Sequence, residues 1–325
     1  FRSRPPKDSG RRAIFAISVI GIAAVVGFGG LSRLTGGFEG RIPASVLAIY
    51  ATKEDENPRR ADCFARMPAD GLCWIGRDAA PGASADFLFG GDSHADALMP
   101  GLDLVAHDMG QAGLFAGWQG CPPIPAIRRI PEDRDCTRFL QAVNNFLKDR
   151  SDIPLVILHA RWTLSVEGTR YRREPGSDVV LAARNGPPPS VGGNAALFEV
   201  GLRDVVLALR QAGREVVLLG PVPEAGHDVP SVIARQARLG WPPAVALARA
   251  DYDSRAGQTE AILARVAAAT EGVRYVPLAG ALCDGDGCTL RDADGLPLYV
   301  DDDHISATAA RTRLRPSLRE IWAAP

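Results

Sequence analysis

The sequence predicts an α/β fold: a parallel sheet covered by helices on both faces, preceded by one transmembrane helix. Three observations carry this. Short apolar runs alternate with segments of helical spacing, the pattern of strand–helix–strand units. The stretch 13–31 near the start holds no charged residue. Hydrophobic residues make up 46% of the 325, enough for one large core.

Taken in order, residues 1–12 read as a cytoplasmic connector, with Arg2, Arg4, Lys7, Arg11 and Arg12 against a single Asp8. The uncharged stretch 13–31 is close to the ~20 residues that span a bilayer. Positive charge stays in the cytoplasm, so the bulk of the chain is expected outside it. A signal peptide is the rival reading. It would have a shorter apolar region and a small-residue cleavage site, and residues 28–33 (Phe-Gly-Gly-Leu-Ser-Arg) offer no good one. The chain starts at Phe1 rather than Met, which reads as a piece of a longer protein or a processed one. Residues 32–60, with Lys53, Glu54, Asp55 and Glu56 together, read as a juxtamembrane linker, and 61–325 as one catalytic domain.

Within that domain Ala85–Phe89 is an apolar strand, and Ala95–Met109 has helical spacing through Leu98, Leu102 and Val105. Gly113–Ala116 is a short strand and Thr137–Lys148 a helix, followed by the apolar strand Leu155–Leu158. Residues 172–195 are rich in Gly and Pro and read as a long loop. Leu197–Ala212 is an amphipathic helix stopped by Gly213, and Glu215–Leu219 a strand. Thr259–Ala269 is helical, Val273–Val276 a strand, and Ser306–Ile321 a helix capped by Ser306.

A net charge of −1 argues against nucleic acid as the main partner, since such domains carry a basic surplus. The six cysteines fall in close pairs: Cys63 with Cys73, Cys121 with Cys136, Cys283 with Cys288. Six cysteines allow 15 pairings, and near-neighbour disulfides are the simplest for an oxidising space. Each would contribute about 2–3 kcal/mol. A metal centre is poorly supported, because there is no Cys-x-x-Cys and no cysteine pair has a histidine beside it. The acidic run 301–303 has no second ligand cluster to go with it.

The chemistry concentrates in two places. The first strand runs into Gly91-Asp92-Ser93-His94, and Asp301-Asp302-Asp303-His304 precedes the last helix. Alone, each motif also reads as an ordinary turn. Together they supply a nucleophile beyond a strand's carboxyl end, where parallel sheets place their sites, with a base and an orienting acid. Ser93 is the nucleophile and His304 the base. Asp301, three residues earlier, curls back to hold one ring nitrogen, whereas Asp302 and Asp303 are expected to point elsewhere. Oxyanion donors are the backbone N–H of Ser93 and, after the second strand, Gly120, where glycine allows close backbone approach. A turn that merely needs glycine explains Gly120 as well. His94 reads as local structure or a substrate contact. His159 and His227 follow strands and line the cleft, while His107 on a helix is structural.

These residues resemble the SGNH/GDSL hydrolase superfamily. More narrowly, the chain is similar to the SGNH domain fused behind the membrane part of bacterial acyltransferase-3 proteins. The match is carried by 91–95 (Gly-Asp-Ser-His-Ala), 120–123 (Gly-Cys-Pro-Pro), 156–162 (Val-Ile-Leu-His-Ala-Arg-Trp), 220–224 (Gly-Pro-Val-Pro-Glu), Cys283 with Cys288, and 299–306 (Tyr-Val-Asp-Asp-Asp-His-Ile-Ser). The resemblance covers about residues 60–322 and implies a flavodoxin-like three-layer sandwich with a Ser93–His304–Asp301 triad. It also implies an O-acyltransferase acting on cell-envelope polysaccharide. The domain would lie on the periplasmic side of the bacterial inner membrane and bind no cofactor itself. An acyltransferase-3 membrane domain would bring the acyl group from cytoplasmic acyl-CoA. The superfamily's oxyanion asparagine after the third strand is missing. His159-Ala160-Arg161-Trp162 stands there, the Arg-Trp pattern of the fused members, which makes His159, Arg161 and Trp162 candidate substrate contacts and leaves Arg161, Trp162 or a group of the substrate as the substitute donor.

O-acyl transfer, in the first place O-acetylation of a sugar hydroxyl, is thus the leading expectation. A membrane-tethered carbohydrate O-acetylesterase uses the same groups with water as acceptor. A non-catalytic glycan-binding module is the alternative outside enzymes. The 172–195 segment, preceded by Tyr171 and continuing through Arg172 and Arg173, reads either as a lid or acceptor groove or as a plain surface insertion.

Overall fold

The structure is a computed structural model that describes residues 8–78, 83–130, 134–184, 186, 193–241, 246–285 and 287–323. It divides into two units, residues 1–47 and 48–325. In the first, helix α1 (Asp8–Leu34) has 27 residues, so it is about 40 Å long. Its apolar side chains, among them Ile14, Phe15, Ile20 and Val25, point outward. The stretch Gly10–Leu34 is long and apolar enough to cross a membrane, with both ends slightly beyond the uncharged run 13–31.

The second unit starts earlier than residue 61. Residues assigned to the linker are built into it. Asn57 donates to the buried Asp96 carboxylate at 2.6 Å, and Arg60 also pairs with Asp96. The Asp55 carbonyl accepts from Ala307 N–H at 2.7 Å, and its carboxylate accepts from Thr308 N–H at 3.1 Å.

The main sheet has six strands: β1 (Cys73–Gly76), β2 (Phe87–Gly91), β3 (Ala112–Gly117), β4 (Leu155–His159), β5 (Glu215–Leu219) and β6 (Val273–Val276), in the order β1-β3-β2-β4-β5-β6. β1 is an antiparallel edge. The other five are parallel, in the flavodoxin-like order, whose switch point lies where neighbours of β2 run off in opposite directions. Gly91 there pairs with Gly117 on one side and His159 on the other.

Period-2 alternation assigns the two cores. Leu88, Leu114, Val156, Leu158, Val216 and Leu218 share one cluster with Phe139 and Leu147 of α3 (Arg134–Asp149) and with Phe198, Leu202 and Val206 of α4 (Asn194–Gln211). Ile262, Leu263 and Val266 of α5 (Arg249–Ala268) complete it. The opposite face is covered by α2 (Ser93–Asp108), which touches β1, β2, β3 and β4, and α6 (Ala307–Thr312) packs on α2. These two helices meet backbone to backbone at Gly101. A Cβ there would lie 2.3 Å from the Ala310 carbonyl oxygen, so only glycine admits this approach.

Three details differ from the sequence expectation. The last helix is two, α6 and Arg315–Arg319, because Pro316 cannot continue a helix from α6 and instead occupies a first turn. The expected loop 172–195 contains a strand, Val180–Ala183, paired antiparallel with Ile127–Ile130; residues 185 and 187–192 of it lie outside the described residues. A helix at Val229–Leu239, capped by the Asp228 side chain on Ser231 N–H at 2.8 Å, is added. All three near-neighbour cysteine pairs are disulfides.

Candidate active site

Three strand ends and one loop build the site. Asp92, beyond β2, caps α2 by accepting from His94 N–H at 2.9 Å. Its other carboxylate oxygen accepts from Arg161 N–H beyond β4 at 2.9 Å. This ties the loops after two neighbouring strands together and leaves Ser93 at the first turn of α2. Gly91 allows the crossing, since a Cβ there would sit 1.8 Å from the His159 carbonyl oxygen.

Ser93 Oγ donates to His304 Nε2 at 2.8 Å, and His304 Nδ1 donates to Asp301 Oδ2 at 2.8 Å. The other Asp301 oxygen accepts the backbone N–H groups of Asp303 and His304 at 2.9 and 2.7 Å, so this carboxylate shapes the turn as well as facing the ring. The sequence expectation that Asp303 points elsewhere is corrected. Asp303 Oδ1 lies 2.7 Å from the same Nδ1, with the side chain 3% exposed against 39% for Asp301. Its neighbour Asp302 makes no ion pair among the described residues, and burial together with the charges of Asp303 and Asp301 pushes its carboxyl up to about 6.

Asp303 has a second partner. Its Oδ2 pairs with Arg161 Nη1 at 2.6 Å. The Arg161 guanidinium also binds Glu224 at 2.8 Å and Glu174 at 2.6 Å, while Arg255 and Arg170 complete the pairing of those two glutamates. Three cations and three anions thus form one buried, internally neutral network ending at the histidine. Burial opposes the charged His304 ring, yet hydrogen bonds and the charges of Asp301 and Asp303 hold its pKa well above the ordinary range. Burial likewise opposes the Asp303 carboxylate, and His304 and His94 pull it well below the usual value.

Four tentative substrate contacts are therefore placed differently. The Arg161 guanidinium is consumed by three carboxylates, so it positions Asp303 and is not a free oxyanion donor. Trp162 is fully buried and donates from its ring to the Leu219 carbonyl at 2.9 Å, packing edge-on against Phe198. His159 is 0% exposed, and burial, with the nearby His94, lowers its pKa to about 3. His94 is buried too, its ring centroid 4.5 Å from that of His304. Trp162, His159 and His94 support the site from behind, while Arg161, held by its three carboxylates, also forms part of the cleft wall. His107 is exposed on α2 and His227 is half-buried, and neither lines the cleft.

The cleft itself, about 250 Å³, is lined by Ser93, Gly120, Arg129, Leu164, Ser165, Pro175 and His304 among others. Gly120 adopts φ +62 and its carbonyl accepts from Arg129 at 2.7 Å. The Cys121–Cys136 disulfide anchors its loop to α3. Of the expected lid segment, Glu174 and Pro175 form cleft wall. Among the described residues two groups have ligand atoms close enough for a cation: His94, Asp303 and His304, and Glu174, Asp302 and Asp303. Either would compete with the Arg161–Asp303 pair. Sequence reasoning gave no role to Glu174, Glu224, Arg170 or Arg255 and turned Asp303 away from the ring; Glu224 and Asp303 do stand in the segments 220–224 and 299–306 that carry the resemblance, whereas Arg255 within α5 and Arg170 and Glu174 in a loop carry no sign in their spacing.

The profile of the family described as "SGNH domain (fused to AT3 domains)" matches residues 56–318. No curated protein matches the chain in sequence. Among solved structures, the periplasmic domain of a lipopolysaccharide acetyltransferase from Salmonella ser. Paratyphi A is similar at 16% identity and TM-score 0.55, over 85% of this chain and 96% of that one. The structure of TesA is similar at 17% identity and TM-score 0.39, over 72% and 98%. A GDSL-like lipase from Bacteroides thetaiotaomicron follows at 12% and 0.38, over 72% and 85%. At these identities the likeness is one of fold.

Proposed function

From its place in the family of SGNH domains fused to AT3 domains, to which this chain belongs, we propose that it transfers an acyl group, in the first place acetyl, to a sugar hydroxyl of a cell-envelope polysaccharide. The observation that carries this reading is the continuous hydrogen-bonded line from Ser93 Oγ through His304 to two carboxylates. His304 Nε2 takes the Ser93 proton as Oγ attacks the acyl carbonyl. The proton then passes to the leaving group, and Ser93 keeps the acyl group as an ester. In the second half His304 deprotonates the incoming sugar hydroxyl, which attacks the ester and frees Ser93. The N–H groups of Ser93 and Gly120 receive the oxyanion in both halves.

The acyl donor reaches this domain from cytoplasmic acyl-CoA through an AT3 membrane domain. Helix α1 crosses the inner membrane with its basic leading end inside and the catalytic unit in the periplasm. The three disulfides support an oxidising compartment. The periplasmic origin of the lipopolysaccharide acetyltransferase domain of like fold agrees with this placement. A second reading, an O-acetylesterase, uses the same line of groups with water as acceptor. Ser93 lines a cleft of about 250 Å³, ample for a water molecule, which favours keeping it.

The test is p-nitrophenyl acetate turnover by the full chain in nanodiscs, with and without oligosaccharide acceptor, and labelling by a fluorophosphonate. Ser93→Ala and His304→Ala are expected to lose about 10,000-fold in kcat, and the label to map to Ser93. A Ser93→Ala enzyme as active as the parent overturns the proposal. Turnover that acceptor does not divert from water selects the esterase.

A further inference from the structure

We propose that the apolar cavity between α3, α4 and the sheet binds a single-chain anionic amphiphile whose head group sits at Arg214. The cavity holds about 410 Å³, within the range of small-molecule sites. It lies on the sheet face away from α2. Its floor is low where Gly90 and Ala116 replace the larger residues of their strands, and Val143, Val205 and Ala208 form its walls. The space runs along the strands. Arg214, just before β5, is at their amino end. Gly91, the last residue of β2 and two before Ser93, is at the carboxyl end. A five-residue strand covers about 13–16 Å, so the shape suits an extended alkyl chain.

Arg214 identifies the head group. It is 4% exposed, and no carboxylate pairs with it among the described residues, in contrast to Arg161 with three. One amino group donates to the carbonyls of Leu147 and Arg150, capping the end of α3. That explains one nitrogen only: Nε is buried and has no hydrogen-bond partner among the described residues. A buried guanidinium without an anion is costly, and one on the wall of an apolar cavity calls for a ligand with an apolar body and a negative end. Lys148, exposed at the same end, adds a second positive charge. A carboxylate or a phosphate monoester would satisfy both cations, and the inference stands whether or not Ser93 is a nucleophile.

The experiment is photolabelling of the full chain in phosphatidylcholine nanodiscs by a diazirine-bearing palmitate, with peptide mapping. Label is expected in peptides covering 134–149 and 194–212. Unlabelled palmitate and lysophosphatidate should compete, the lower effective concentration telling carboxylate from phosphate, and hexadecanol at least tenfold less well. Ala208→Trp, which fills the cavity, should abolish the label, and Arg214→Gln should reduce it at least fivefold. Thermal midpoints confirm folding, and Val205→Trp replaces any variant that fails. Label confined to residues 8–34, label unchanged by the filling variants, or hexadecanol competing as well as palmitate each overturns the proposal.

Discussion

Replacing Asp303 by Asn should harm turnover more than replacing Asp301, although only Asp301 stands at the spacing that the sequence singles out. Both carboxylates lie within 2.8 Å of His304 Nδ1. They differ in surroundings, with side chains 3% and 39% exposed. Taking charge centres about 4 Å apart, a carboxylate stabilises the imidazolium by about 4 kcal/mol at an effective dielectric of 20, and by about 1 kcal/mol in water. Asp303 belongs near the first limit and Asp301 nearer the second. At 1.36 kcal/mol per decade, Asp303→Asn should cost about 1,000-fold in kcat/KM and Asp301→Asn about 5–10-fold. The assay is ester turnover by the two variants in parallel, with thermal midpoints to separate loss of fold from loss of rate. Asp303→Asn also loosens Arg161, so the decisive comparison is made among folded protein only. A folded Asp303→Asn variant near parental activity beside a dead Asp301→Asn would refute the burial argument.

Two further predictions concern pH. His304 must be neutral to accept the serine proton, and its pKa is held above the ordinary ~6.5, so the rising limb of kcat/KM should lie above pH 6.5. The same shift contributes stability below pH ~6.5 that fades as pH climbs through the raised value. Asp303→Asn should move the kinetic limb downward, and an unmoved limb counts against contact between the two. His159 has the opposite sign. It stays neutral in the fold down to about 3 while the unfolded chain takes up its proton near 6.5. Stability should therefore fall by about 1.4 kcal/mol per pH unit between those values from this group alone. Urea midpoints of His159→Gln should show a correspondingly shallower acid slope, and parallel slopes would exclude His159 as a source.

Much of this was legible in the chain because local rules decide it. The runs that became β4, β5 and β6 are short and almost wholly apolar, and Ser306 caps α6 as its type predicts, accepting from Ala309 N–H at 3.1 Å. Ser93 and His304 could be paired across 211 positions because each follows a recognisable stop. The rest depends on partners that spacing cannot express. Asp303 turns inward only because Arg161, itself placed by Asp92, waits there. Trp162 and His159 follow a strand as cleft residues would, yet their side chains enter the core, a choice made by Phe198 and by the Leu219 carbonyl. The helix at Val229–Leu239 did carry a readable sign, Asp228 followed by Pro230, which its short apolar stripe concealed.

The contact at Gly101 has a consequence for control. Ser93 begins α2 and His304 stands just ahead of α6, so the separation of those two helices sets the distance between nucleophile and base. With the Ala310 carbonyl seated where a side chain would otherwise be, that distance is fixed by the scaffold and not by any visiting molecule. The pair is in contact at rest, and only the ionisation of His304 decides whether it can act. On the transferase reading proposed above, restraint, so that an activated ester is not spent on water before an acceptor arrives, falls to the entrance, which decides what reaches Ser93 and when.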